Sequence, residues 1–236
     1  MKAVVKTILV SSVALWMVGV EGPAMAQMAA PPAYAPAYSY APAPPYAPAA
    51  TVTSTVGYHL HDGFFARGHF GIGVTSVSSS RNGVKTTLSG GGVAIGGAVG
   101  GVVGRNLILY GAFFGTDVGN PDMQVAGTST PTDVADVGVG GFGPGVAYYF
   151  EPLNLYVSGT LALSAFHASD GAGIRRDSSK AGLALELSAG KEWWVSHDWG
   201  LGLAAELIFA SMKDQDDPTV TWSVGALSLV FSATYN

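Results

Sequence analysis

The residues of this chain best suited to chemistry are few. His167-x-Ser169, in "FHASD" (166–170), pairs a base with a hydroxyl nucleophile. Such a pair acts only when a carboxylate orients the imidazole. His59-x-His61-Asp62 has ligand-like spacing, but no other histidine or carboxylate stands near it in sequence. A metal site usually takes three or four ligands, so this stretch reads as a solvated linker. The glycine run "SGGGVAIGGAVGGVVG" (89–104) has neither the strand–loop–helix context nor the Lys-Ser/Thr of a phosphate loop. The chain has no cysteine, which removes thiolate metal sites and disulfides. No cofactor and no metal site are therefore expected. What is left is a set of isolated charges inside apolar segments: Arg67, Glu186 and Glu206.

Composition says what could hold them. Charged residues are 11% of the chain, against about 25% in an ordinary soluble domain, and glycine is 33 of 236. A soluble surface needs charge, so part of this exterior is expected not to face water. The net charge of -5 and the lack of a basic cluster argue against nucleic acid as a partner. Residues 1–26 read as a cleaved secretory signal. Lys2 and Lys6 precede an apolar run (7–20), and Ala24-Met25-Ala26 fits a small-x-small cleavage site. Residues 27–56, rich in proline, alanine and tyrosine, cannot form a core and read as a disordered periplasmic tail. At about 3.1 Å per residue it would reach roughly 90 Å, as a spacer or as a tether whose tyrosines touch the cell wall.

From residue 57 the chain divides into eight alternating segments, about 63–77, 88–103, 106–116, 137–150, 154–166, 181–195, 200–212 and 220–236. Their period of two predicts strands. Phe70, Ile72 and Val74 oppose Arg67, His69, Gly71 and Gly73; Leu183, Leu185 and Leu187 oppose Glu186, Ser188 and Gly190. The third and fourth segments leave their facing open. Tight polar turns (104–106, 151–154, 196–200) alternate with longer polar connections. An antiparallel up-and-down order puts all the tight turns at one end and all the long loops at the other. The fold class is thus all-β, an eight-stranded antiparallel up-and-down barrel.

Two solvents are conceivable for such a barrel. A soluble, lipocalin-like barrel turns its apolar face inward and its charge outward. Here the faces opposite leucine and valine hold Gly, Ala, Ser and Thr with few charges, so the leucines are expected outside, in lipid, and the small and polar set inside. Arg67, Glu186 and Glu206 then point inward. Either they form a buried ionic cluster or each reaches a hydrated vestibule at its own height. Lys191 takes outward parity, either at an interface beside Trp193 or turned in by a bulge. Pro144 inside a closed sheet predicts a bulge. Trp193, Phe231 and Tyr235 would form an aromatic girdle near the tight-turn rim. The final strand must pair with the first, because an open edge in hydrocarbon leaves backbone groups unpaired.

With its signal sequence, loop alternation and terminal "GALSLVFSATYN" (225–236), the chain resembles the small eight-stranded outer-membrane β-barrels, the class of the outer membrane protein A barrel and the opacity-type proteins. The resemblance covers about 57–236. It implies the bacterial outer membrane as location and its lipid and lipopolysaccharide as surroundings. It also implies the barrel-assembly machinery as partner, reading Gly225, Leu227, Leu229, Phe231 and Tyr235 as the assembly signal; family members often end on the aromatic itself, whereas Asn236 follows here. His167 and Ser169 resemble the pair of outer-membrane lipid A deacylases, but Glu186, the carboxylate on the next strand, takes inward parity and breaks the triad. An eight-stranded bore is filled by its own side chains. The expected role is therefore structural or surface-directed, with no enzymatic activity and no open general pore. Transport of small hydrophobic molecules through a lateral gap is the alternative, and lipid A modification a third.

Overall fold

The structure, a computed structural model, describes residues 63–236. The signal and tail segments, residues 57–62 and the His59, His61, Asp62 stretch lie outside the described residues. The strands are β1 (Phe64–Arg81), β2 (Val84–Gly104), β3 (Leu107–Gly119), β4 (Asp122–Val125), β5 (Thr128–Thr130) and β6 (Val134–Phe150). They continue with β7 (Leu155–Asp170), β8 (Arg175–Ser178), β9 (Gly182–Trp194), β10 (Trp199–Lys213) and β11 (Thr221–Tyr235). Eight of them, β1, β2, β3, β6, β7, β9, β10 and β11, form an antiparallel ring in chain order. It closes where β1 pairs with β11 from Ala66↔Tyr235 to Ser79↔Trp222. Among the described residues no helix is long and apolar enough to cross a membrane.

The three short connections lie at one end, at 105–106, 151–154 and 195–198. The opposite end differs from the expected long loops. The polar segment between β1 and β2 is not a loop: the ladder runs on to Arg81↔Val84, and Asn82 and Gly83 make the turn at φ 51° and 78°. Positive φ at both central positions is the hairpin turn that Asn-Gly favours. Within the 120–133 connection β4 and β5 form a second hairpin, and β4 adds to β2. Within 171–181, β8 adds to β7. In the last connection Asp214 accepts hydrogen bonds from Trp222 Nε1 (2.8 Å) and from the backbone N–H of Asp216 and Asp217. Burial opposes ionisation there, but these bonds outweigh it and hold the carboxyl below the ordinary aspartate range.

Alternation decides what faces out. Phe70, Ile72, Val93, Ile95, Phe113, Phe142, Leu161, Leu183, Leu227 and Leu229 are all exposed. In water an apolar belt of this size would be an aggregation surface; in hydrocarbon it is the solvated face. The bore departs from expectation. It is not only small and polar: Phe65, Ile108, Tyr149, Phe166, Ile208, Met212 and Trp222 are buried in it, in two apolar layers along the barrel. Glycines make the room. A Cβ on Gly145 would run into the Tyr110 ring, and one on Gly141 would meet Phe114. Small residues on one strand thus accept large ones from the next.

Pro144 also differs. No bulge forms: the β6–β7 register is unchanged from Phe142↔Leu163 to Gly145↔Thr160, with Gly143 and Pro144 left out of that ladder. Pro144 stays in register with Gly111 on β3. A residue without an N–H is absorbed as a local gap on one side of the strand.

Candidate functional site in the barrel lumen

Every inward charge is placed by strand parity, and strand stagger sets its height. Arg67 on β1 stands opposite Thr234 on β11. Its Nε donates to Thr234 Oγ1 at 3.2 Å, and its Nη2 donates to Glu192 Oε1 at 3.0 Å and to the Tyr149 hydroxyl. Tyr149 OH and Thr234 Oγ1 donate in turn to Glu192, at 3.0 and 2.6 Å. The guanidinium also lies 4.0 Å from the Tyr156 ring centroid, a cation–π arrangement. Both charges are almost fully enclosed. The carboxylate of Arg67 is therefore Glu192, not Glu186 or Glu206. Sequence reasoning passed over Glu192, although it continues the parity of Glu186, Ser188 and Gly190 on the same strand.

Glu186 and Glu206 form a second group one layer along. Thr160 stands opposite Glu186, and Tyr110 OH lies 3.2 Å from Thr160 Oγ1. His69, two residues beyond Arg67 on the same face of β1, brings Nε2 to 3.1 Å from Glu206 Oε2. That approach is not a directed hydrogen bond, and His69 Nε2 and Glu206 Oε1 are both buried without a hydrogen-bond partner. Ligand atoms of His69, Glu186 and Glu206 lie within 4.8 Å of one another. His69 was legible as an inward residue, but nothing in the sequence set its height against the two glutamates. The two groups share a cavity of about 20 Å³ lined by Arg67, His69, Tyr110, Thr160, Glu186 and Glu206 among others. That is room for about one water.

The remaining candidates lie on the wall. Trp193 is exposed beside Leu201. Tyr235 stands opposite Trp199, with ring centroids 5.5 Å apart, and Phe231 packs on Phe70 at 5.8 Å. Trp199, Phe64, Tyr148 and Phe150 add outward aromatic surface near the same short-turn end. Leu227 and Leu229 are exposed, and a Cβ on Gly225 would meet open space. Lys191 keeps its register on both neighbours, so no bulge turns it inward. Its Nζ donates to the Leu153 carbonyl and lies 5.6 Å from the Trp193 ring, as an interfacial lysine does.

Glu186 faces the lumen, away from His167. Two other carboxylates do reach that imidazole: Asp117 of β3 and Asp136 of β6 lie within 4.8 Å of it at the long-loop end. Ser169, however, stands opposite Asp136 across the ladder, while His167 stands opposite Gly138. The side chains of Asp117, Asp136 and His167 form a cluster at the rim of the long-loop end.

No protein-family model matches the sequence. No curated protein matches it either. Solved structures do match in fold. The crystal structure of Neisserial surface protein A superposes with a TM-score of 0.51 at 15% identity, covering 74% of this chain and 97% of that one. The chain has the fold of the small outer-membrane β-barrels. Outer membrane protein AlkL, studied in lipid bilayers, matches with TM-score 0.43 and 17% identity, covering 76% of this chain and 92% of that one. OprG from Pseudomonas aeruginosa matches with TM-score 0.42 and 14% identity, over 75% and 98%. With its closed ring and apolar exterior, this barrel is a protein of the bacterial outer membrane, surrounded by that membrane's lipid.

Proposed function

We propose that this chain is a closed structural barrel of the outer membrane, with a role in surface interaction, no general pore and no catalytic turnover. The observation that carries this reading is the filled lumen. Aromatic layers and the Arg67–Glu192 pair fill the bore, and the cavity beside Arg67, Glu186 and Glu206 holds about 20 Å³. A hydrated ion or a sugar needs a continuous water-filled path, which side chains occupy here. The long-loop end, with its three hairpin-like extensions, faces outside the cell and offers the interaction surface. The short-turn end faces the periplasm.

The other assignments follow from that orientation. Residues 1–26 are removed on export, and 27–56 form a periplasmic spacer able to touch the cell wall. Trp193, Phe231 and Tyr235 belong to the girdle at the periplasmic interface. Gly225, Leu227, Leu229, Phe231 and Tyr235 present the last strand to the assembly machinery. Lipopolysaccharide packs against the outer half of the wall. The test is reconstitution into planar bilayers. The expected outcome is no stepwise conductance; steady ion-conducting steps would overturn the closed-barrel reading. Uptake of small alkanes by liposomes carrying the protein, without conductance, would favour lateral transport instead.

A further inference from the structure

We infer that His69, Glu186 and Glu206 form a binding site for one first-row divalent transition-metal ion inside the barrel. Three observations converge on it. The donor atoms of these residues already lie within 4.8 Å of one another, with His69 Nε2 and Glu206 Oε2 at 3.1 Å. Ligands at about 2.0–2.1 Å around a tetrahedral ion sit roughly 3.3 Å apart, so long glutamate side chains need only a small inward movement.

The second observation is unmet bonding. Glu206 is 2% exposed and His69 10%, yet Glu206 Oε1 and His69 Nε2 have no hydrogen-bond partner. Both residues line the 20 Å³ cavity. Buried polar atoms of this kind are rarely left unpartnered without a reason.

The third is charge. Arg67 lines the same cavity, but its charge is matched by Glu192 at 3.0 Å. Glu186 and Glu206 therefore bring two carboxyl groups together in a buried site whose neighbouring arginine is already matched elsewhere. A dication offsets both, whereas buried charges left unpaired are costly. The cavity accepts one ion or one water. One imidazole and two carboxylates make the mixed N/O set that zinc-like ions accept, with the second oxygen of one carboxylate, such as the unpartnered Glu206 Oε1, as the fourth ligand. Magnesium and calcium ask for six or more oxygens, which this pocket does not supply. Gly96 supports the arrangement: a Cβ there would collide with the His69 ring, so only glycine leaves the imidazole in place.

The experiment uses the full chain folded in detergent micelles and titrated with Zn²⁺ alone, followed by calorimetry and by metal content after desalting. The expected result is one Zn²⁺ per barrel and a higher unfolding temperature than in chelator. Glu206→Gln and His69→Ala should each weaken binding at least tenfold, with folding of each variant checked by heat-shifted gel mobility. His167→Ala, which removes the rim cluster's imidazole, and the His59→Ala/His61→Ala double variant should bind as the parent does, and Mg²⁺ should not compete. Failure of the folded parent to bind Zn²⁺ stoichiometrically would overturn the site. So would binding that survives Glu206→Gln and His69→Ala, or that disappears with His167→Ala. Two carboxyls sharing a proton would give that first negative result.

Discussion

Arg67 shows what a single side chain contributes to this barrel. It meets a carboxylate, two hydroxyls and an aromatic face in a space closed to solvent. Removing one partner of a buried pair costs on the order of 3–5 kcal/mol, because the other charge stays buried without compensation. Arg67→Met is therefore expected to lower the denaturation midpoint in detergent strongly. Adding Glu192→Gln to that variant should recover part of the loss, since the stranded charge is then gone. A double variant no more stable than Arg67→Met alone would show that the two residues do not act as a pair. The inward facing of Arg67, Glu186 and Glu206 was legible in the sequence from the period of two. The choice of partner was not. Three inward glutamates compete for one arginine, and the winner depends on how far neighbouring strands are staggered, which alternation within one strand does not encode.

At the scale of strands, legibility follows hydrophobic contrast. The lipid-crossing parts of the ring strands alternate leucine or valine with small residues, and the sequence locates them to within a few residues. Beyond the apolar belt the signal disappears. Residues 78–87, "SSSRNGVKTT", are polar on both faces, so no period survives, and yet they continue the β1–β2 ladder to its turn. The Asn82-Gly83 pair was the local clue. The facing of β3 and β6 was hidden for a related reason: Phe113 and Phe114, or Tyr148 and Tyr149, are adjacent and equally apolar, yet one of each pair meets lipid and the other the bore. The belt itself makes a depth-dependent prediction. Leu229, opposite Ile72 in mid-wall, should cost roughly 2–4 kcal/mol when changed to lysine, and Val103 beside the short-turn rim about 0–1 kcal/mol. Reversible unfolding from lipid vesicles measures both; equal costs at the two positions would place the belt elsewhere.

For the whole molecule, the determining property is which solvent the outside has chosen. An exterior bearing Phe70, Ile72, Ile95, Leu161 and Leu229 cannot be dissolved by the few charges at the rims. The protein should fractionate with outer membranes and should migrate differently on gels before and after boiling, because a closed sheet resists detergent until heated. A monomer that stays folded in plain buffer without amphiphile would contradict the orientation of every strand. The bore combines two apolar layers with the Arg67–Glu192 pair set among the aromatic rings of one of them, so cohesion inside comes from aromatic fit and from the hydrogen-bonded charges.

The pairing of β1 with β11 has one more consequence. The two segments that seal the cylinder are the earliest and the latest parts of it to be synthesised. A partly delivered polypeptide exposes two raw borders wherever it stops, and hydrocarbon offers nothing to cover them. Entry into the bilayer must therefore be a single event involving the complete wall, with no stable halfway form to rest in.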